Sequence, residues 1–500
     1  MDGSRLTPDE TQKALSNMIK QGVSVQVKLT LTESIFLVGF ALMLGASNTV
    51  IGILAAIPSF AQLLQIPSVY LIKKIGSRRK LNFTTQLGNR LAILLMALIP
   101  FISVSELGLL LLVSTVAIQA VFVAIGSASW NSWLRDLVPE EQLGQFFSKR
   151  MALGGVMAVI SSLAGGAFIG RLSSLGFGMS MMSYSTLFLV AFLAGMIALY
   201  YTSTTPEPKT TVTEAGTSFF RLVARPFQDL NFRSLLWFSA AWTFSTALAT
   251  PFFAVYLLSR LGLGMPLATA LTATTQLVSI LFYRFWGRYS DRFSNKSVLQ
   301  VATPIFLIGT FLWTFTNIAG ALLLLIPLLF IIHLLTGFSA AGVDLTSDTI
   351  GLKLAPRGES AAYLAARGTV MAVAGTIGPI VGGLLADLFA ARELYFSITL
   401  TDPGGTLVIH TYHVMGLDFL FLISVVLGLY SLHRLSLVQE VGEVEEKVVI
   451  EAIAAETRRN VKTISTVDGL RQTFQIPIKT TRRLVKRRRR VATREKPPSG

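Results

Sequence analysis

The chain has 500 residues, 52% of them apolar and 14% charged, with a mean hydropathy of +0.61, more hydrophobic surface than a water-soluble core can hide. This excludes an ordinary soluble enzyme and reads as an all-α membrane protein. The net charge of +16 is concentrated in a tail: from Arg458 onward fourteen Lys or Arg face two acids, so a nucleic-acid-binding face is not expected.

In chain order, Thr7-Pro8-Asp9-Glu10 opens a helix with a cap, a proline at the first position and acids in the first turn. Ala14, Leu15, Met18 and Ile19 share one face, and Gly22 is expected to end it, giving an amphipathic cytoplasmic segment over residues 1–23 that lies along the membrane. Apolar runs of about 20 residues match a hydrocarbon layer roughly 30 Å thick. Twelve are expected, near 27–48, 50–71, 83–104, 107–129, 151–172, 180–201, 235–258, 267–286, 298–318, 321–346, 369–389 and 413–434. Transmembrane strands are about ten residues long and alternate in polarity, so these runs are helices.

A polar stretch, 202–233, with Pro206-Glu207-Pro208, separates a six-helix bundle over 24–201 from a second over 234–434. Lys and Arg crowd the loops of one side, among them Lys73, Lys74, Arg78, Arg135, Arg150, Arg284, Arg292 and Lys353, against Arg171, Arg260 and Arg392 on the other. Both termini are therefore expected in the cytoplasm. The long external loop, 390–412, holds Asp402-Pro403-Gly404-Gly405 between the β-prone runs Leu394–Leu400 and Thr406–Ile409, which predicts a hairpin. The tail, 435–500, begins with an acidic helical segment over Glu440–Glu456 and ends in a basic cluster at Arg482–Arg490. That cluster is expected either to meet anionic lipid or to remain solvated.

The two halves repeat. Pro139 and Arg150 recur as Pro356 and Arg367, and Gly165-Gly166 recurs as Gly382-Gly383, all at an offset of 217. These glycines are read as close helix packing, and no phosphate-binding loop is present.

After the eighth run the sequence reads Gly287-Arg288-Tyr289-Ser290-Asp291-Arg292, with Lys296 following. This resembles the loop signature of the major facilitator superfamily, with Ser294 in place of the second Gly. The equivalent loop after the second run keeps Gly76 but has Lys73 where the signature has Asp. The resemblance covers residues 24 to about 434. It implies two six-helix bundles that rock about a central site, facing either side in turn. It also implies a cytoplasmic gate in which Asp291 meets the start of the fifth span around Lys149 and Arg150, the mirrored contact at Arg367 being unsettled by Lys73. Gly76, Gly287, Arg292 and Arg367 join that gating set.

Polar groups inside a membrane cost several kcal/mol unless partnered or hydrated, which makes them functional candidates. On the tenth span His333, Asp344 and Asp348 fall within about 60° on a helical wheel. Asp344 is the first candidate for carrying a proton and Glu33 the second. Asp348 is read either as cavity lining or as an interfacial cap, and His333 as lining or as a packed, hydrogen-bonded residue. Gln119, Asn131 and Trp242 complete the candidate lining. Arg90, a basic residue deep in a span, needs an anionic neighbour, either a carboxylate of the protein or the substrate itself. By the offset of 217, Asp344 and Asp348 fall on Ser127 and Asn131, so the acids belong to one half only.

The expectation is a monomeric secondary transporter of a small-molecule solute in a plasma or bacterial inner membrane, proton-coupled, without cofactor, metal or catalytic residue. The alternative is a transporter-like sensor or scaffold acting through the tail. A membrane-embedded enzyme finds little to build on: there are four His and no Cys.

Overall fold

A computed structural model of the chain describes residues 8–65, 68, 71, 74–102, 105–139, 142–207, 225–317, 322–356, 359–402 and 405–464. Residues 1–441 form one compact unit and 442–500 another. In the first unit the N-terminal half comprises α1 (Pro8–Thr32), α2 (Ser34–Met43), α3 (Asn48–Gln62), α4 (Arg78–Leu98), α5 (Ser105–Leu137), α6 (Leu143–Ser173) and α7 (Phe177–Thr204). The second half comprises α8 (Leu230–Val255), running on through a wider turn at Tyr256–Arg260, α9 (Met265–Arg292), α10 (Asn295–Leu312), α11 (Leu322–Leu354), α12 (Ser360–Phe389) and α13 (Leu417–Ser436). Strands β1 (Glu393–Asp402) and β2 (Gly405–Met415) stand between α12 and α13, and α14 (Glu446–Ile464) belongs to the second unit.

Among the described residues ten helical segments are long and apolar enough to cross a membrane, α1 and α2 counting as one. Twelve were expected. The two that fall short are α3, 15 residues long, and α4, which carries Asn82, Gln86, Asn89 and Arg90 within its own span. Both occupy the places of the second and third spans.

The repeat is visible in the packing. In the first half α1 lies against α6 and α7, and α4 against α5 and α7. In the second, α8 lies against α12 and α13, and α10 against α11 and α13. Across the halves α3 packs on α12 and α6 on α9. The duplicated glycines sit at these crossings: a Cβ on Gly166 would come within 2.0 Å of Thr269 Oγ1, and one on Gly383 within 2.6 Å of the Asn48 carbonyl. Small residues let the backbones approach, as helix pairs in lipid require.

Ser77 caps α4 and Ser294 caps α10, again 217 residues apart. A second pair of caps escapes the sequence offset. Glu207, just past α7, accepts from the Ser77 hydroxyl at 2.6 Å and the Arg78 amide at 2.6 Å. Glu440, just past α13, accepts from the Lys296 amide at 2.7 Å and from Asn295 Nδ2 at 2.9 Å. Each half thus ties the first turn of its third span to a carboxylate that follows its sixth. Anionic groups at a helix N-terminus meet the unsatisfied amides and the positive end of the dipole.

Two expectations about the N-terminus are corrected. Gly22 does not end a helix: α1 continues to Thr32, and the glycine makes room for Arg150, whose Nε lies 2.3 Å from where a Cβ would be. The face of Ala14, Leu15, Met18 and Ile19 is the apolar one, but it packs on Trp133, Leu134, Leu137 and Phe146 at the ends of α5 and α6. Burial against these side chains offers the face more contact than a membrane surface would.

The hairpin forms where the turn residues put it. β1 and β2 pair antiparallel from Glu393 opposite Met415 to Asp402 opposite Gly405, with a bulge between Phe396 and Ser397. The tail's helix spans Glu446–Ile464 rather than starting at Glu440, which is taken up as a cap. Lys73, Arg357 and the basic cluster at Arg482–Arg490 lie outside the described residues.

Candidate central cavity

The first transmembrane segment is broken halfway. α1 stops at Thr32, Glu33 is extended at φ −126°, and α2 restarts at Ser34, whose φ is +54°. A non-glycine residue in the left-handed region is strained by roughly 1–2 kcal/mol, and such strain persists only where surrounding structure fixes it. The Glu33 side chain makes no capping bond to α2. It opens instead onto a cavity of about 310 Å³.

Both halves build this cavity. Thr32, Glu33 and Ser34 come from the break, Ile51, Leu54 and Pro58 from α3, Asn89 from α4, Val116 and Gln119 from α5, and Thr250 and Pro251 from α8. In-helix prolines at 58 and 251 line the same cavity, and each leaves a backbone carbonyl one turn earlier without its helical donor. Asn89 is 2% exposed. Its Nδ2 donates to the Gln119 carbonyl at 3.4 Å, and its Oδ1 is buried with no partner.

On the hairpin side the halves are latched above this cavity. Asp387 near the end of α12 takes the first turn of α3: Oδ1 accepts from the Asn48 amide at 3.1 Å and its Nδ2 at 2.9 Å. Oδ2 accepts from the Thr49 amide at 2.9 Å and its hydroxyl at 2.6 Å. The next turns of α3 carry Ile51 and Leu54 into the cavity wall, so the latch lies within about 10 Å of it along the helix.

Of the residues singled out from the sequence, Glu33 and Gln119 come together here. Arg90 does not need the anionic neighbour expected for it. It donates to the Gly195 carbonyl at 3.0 Å, the Gln86 carbonyl at 2.9 Å and Gln86 Oε1 at 2.9 Å, so neutral oxygens satisfy it while joining α4 to α7. Trp242 is buried edge-on against Phe306 at 5.4 Å, and Asn131 is exposed near the end of α5.

His333 lies within the second half. Its Nδ1 is 2.8 Å from the Thr275 hydroxyl and its ring packs edge-on to Trp313, while Nε2 is buried without a partner. Asp344 lies beside the Tyr283 hydroxyl of α9. Asp348, with 86% of its side chain exposed, pairs with Arg367 at 3.7 Å. These two acids form a patch separate from the cavity at Glu33.

The gating set is engaged within its own halves. Arg150 bonds Gln21 at 3.3 Å and lies over Trp130. Arg367 donates to the Ser239 hydroxyl at 3.0 Å, and Arg292 covers Phe293. Asp291 is exposed. Gly76 turns the chain into α4 at φ +69°, and Gly287 packs near Leu345. A further crevice of about 450 Å³, between α8, α12 and α13, is lined by Trp237, Phe244, Leu427 and Tyr430 among others and has no charged group.

Sequence reasoning passed over Lys28, Asn89 and Asp387. Lys28, buried and five residues before Glu33, announced itself as a basic residue inside an apolar run. Asp387 read as an ordinary charge at a membrane edge, because its partners are 338 and 339 residues away.

The family model described as Major Facilitator Superfamily matches residues 24–379. An MFS-type transporter from Aspergillus terreus is 34% identical over 112 residues, which is 22% of this chain and 19% of that protein. The match therefore spans about a fifth of the curated relative. Among solved structures, a variant of the nucleoside transporter NupG has a TM-score of 0.63 at 13% identity, covering 85% of this chain and 100% of that one. A bacterial homologue of the iron transporter ferroportin, in an inward-facing state, gives 0.61 at 12% identity over 87% and 100%. A D-xylose-proton symporter gives 0.60 at 13% over 87% and 98%. At these identities the likeness is one of fold.

Proposed function

Because the chain belongs to the major facilitator superfamily and is a multi-pass membrane transport protein, we propose that it moves a small solute by alternating access around the cavity at Glu33. The observation that carries this is the pairing of that cavity, built from both halves, with the Asp387 latch above it, which among the described residues has no counterpart of the same kind on the opposite face. The gating residues of the opposite face hold partners in their own halves. In this reading the hairpin side is external, the termini are cytoplasmic, and the structure represents the state closed to the outside.

Two carboxylate sites support proton coupling. Glu33 faces the cavity, and Asp344 sits with Tyr283 and Asp348 where the cytoplasmic mouth would lie. We assign the proton-carrying step to Asp344 and substrate contact to Glu33. Asp348 and Arg367 then link that step to α12, the helix that carries the latch.

Since the chain has no cysteine, introduced pairs label cleanly. Spin labels at Leu175 and Ser259 report the hairpin side, and labels at Gln145 and Leu352 the other. In liposomes the two distances should change in opposite directions between populations. One fixed distance on both sides under all conditions counts against alternating access. For the proton step, an internal pH dye should report acidification during solute movement, and Asp344→Asn should remove it. Unchanged proton movement in that variant ends the assignment.

A further inference from the structure

We infer that the cavity at Glu33 binds the ammonium group of a small amphipathic organic cation, seated between the Glu33 carboxylate and the Asn89 side-chain oxygen. The inference rests on the transport reading only for what the cavity is for. Its binding chemistry stands on three observations.

The first is the polarity of the polar groups. Glu33 is spent neither on capping α2 nor, among the described residues, on an ion pair. Asn89 has one amide N–H committed to the Gln119 carbonyl and leaves open the acceptor Oδ1, buried and unpartnered. A buried acceptor without a donor costs roughly 1–3 kcal/mol, which a ligand N–H returns on binding. Both groups accept hydrogen bonds, and the ionised Glu33 carboxylate only accepts, while Asn89 keeps one N–H beside its open Oδ1.

The second is the helix break. It ends α1 at Thr32, which lines the cavity beside Glu33, so the negative end of a helix dipole lies next to the site. The first amides of α2 also face the break, and they would favour an anion. The side chains decide between the two, since the Glu33 carboxylate brings a negative charge and Asn89 an unpartnered acceptor. Of the nearest positive groups, the Arg90 guanidinium is taken by Gln86 and Gly195. Lys28, 4% exposed and outside the cavity lining, acts on Glu33 by charge from the same segment, and a ligand ammonium would share the carboxylate with it.

The third is the wall. Leu54, Pro58, Val116 and Pro251 among others make the rest of the cavity apolar. A volume of about 310 Å³ accommodates roughly ten water-sized groups at about 30 Å³ each. The ligand class is therefore a primary or secondary ammonium on an aromatic or branched aliphatic body of about ten non-hydrogen atoms.

The test is thermal unfolding of the purified full-length protein with three isosteric probes: 2-phenylethylammonium, 2-phenylethanol and phenylacetate. The expected result is a concentration-dependent rise in Tm with the ammonium alone. Glu33→Gln and Asn89→Leu should each weaken it at least tenfold, Glu33→Asp should retain it in part, and Asn89→Asp, which adds a carboxylate, should tighten it at least threefold. Stabilisation by phenylacetate or equally by the alcohol, a flat response to all three, or an ammonium response unchanged in Glu33→Gln overturns the inference. Should Glu33→Gln fail to fold, the Asn89→Asp comparison decides, and weaker ammonium binding there overturns it. Binding is read here at equilibrium without transport, so failure leaves the spin-label result of the previous section standing on its own.

Discussion

Asp387 of α12 grips Thr49 of α3 through both its amide, at 2.9 Å, and its hydroxyl, at 2.6 Å, and so fastens the second half of the molecule to the first turn of a helix in the other. Hydrogen bonds to a charged acceptor contribute about 1.5–3 kcal/mol when sheltered. Asp387 is exposed, and solvent screening brings the net to about 1 kcal/mol. Asp387→Asn should shift the population toward the state open on the hairpin side about fivefold. The Leu175 and Ser259 label pair reads this directly. A distance distribution identical to the parent's would mean that the small-residue crossings alone hold this face shut.

The two carboxylate caps make a matched pair with unequal burial. Glu440 has 3% of its side chain exposed and also meets Lys353 at 3.4 Å, whereas Glu207 has 18% exposed and lies 3.6 Å from Arg78. Arg78 keeps Asp136 at 2.5 Å whichever cap is lost. Glu440→Ala should therefore lower stability by about 2 kcal/mol and Glu207→Ala by about 1 kcal/mol, in line with cap deletions elsewhere. Thermal unfolding in detergent checks the order, and a larger loss for Glu207→Ala would contradict it.

What the sequence made legible follows from the range of the interactions involved. Hydrophobic run length, the Asp402-Pro403-Gly404-Gly405 turn and the duplicated Gly166 and Gly383 are local signals, and the helices, the hairpin and the crossings formed accordingly. Glu207 and Glu440 sit 233 residues apart, not 217, because the hairpin lengthens one copy before its last span, so no fixed offset could pair them. The break at Ser34 had no glycine or proline to mark it, and a residue such as Ser34 takes a positive φ only when its surroundings demand it. Arg90 was misjudged because a buried guanidinium can be satisfied by carbonyl oxygens alone, which sequence spacing does not reveal.

The hairpin carries its own pH dependence. The Tyr395 hydroxyl donates to Glu393 at 2.5 Å and His413 Nε2 lies 3.3 Å away, which holds the Glu393 carboxyl below its usual range. A carboxylate depressed in the folded state stabilises fully above its unfolded value, near 4.3, and that contribution is lost as pH falls through the folded value. Amide protection factors over Glu393–Met415, taken relative to the intrinsic exchange rate at each pH, should therefore fall in acid, below about pH 4, and Glu393→Gln should flatten the dependence. An acid response that survives in Glu393→Gln would place its origin elsewhere.

The break in the first span is testable through its strain. Ser34 holds φ at +54°, a conformation that costs an L-residue about 1–2 kcal/mol and a β-branched one more. Glycine removes that cost but returns about 0.4–1 kcal/mol to the unfolded chain. Ser34→Gly should thus leave stability within about 1 kcal/mol of the parent, while Ser34→Val falls at least about 2 kcal/mol below Ser34→Gly. Thermal unfolding supplies the stabilities, and the ammonium titration supplies a second readout. Because the break presents Thr32, Glu33 and Ser34 to the cavity together, Ser34→Gly should keep ammonium binding, and Ser34→Val should weaken it by misplacing the carboxylate. Equal stability and equal binding in the two variants would mean that the chain can straighten here without consequence, and that the break is not what positions Glu33.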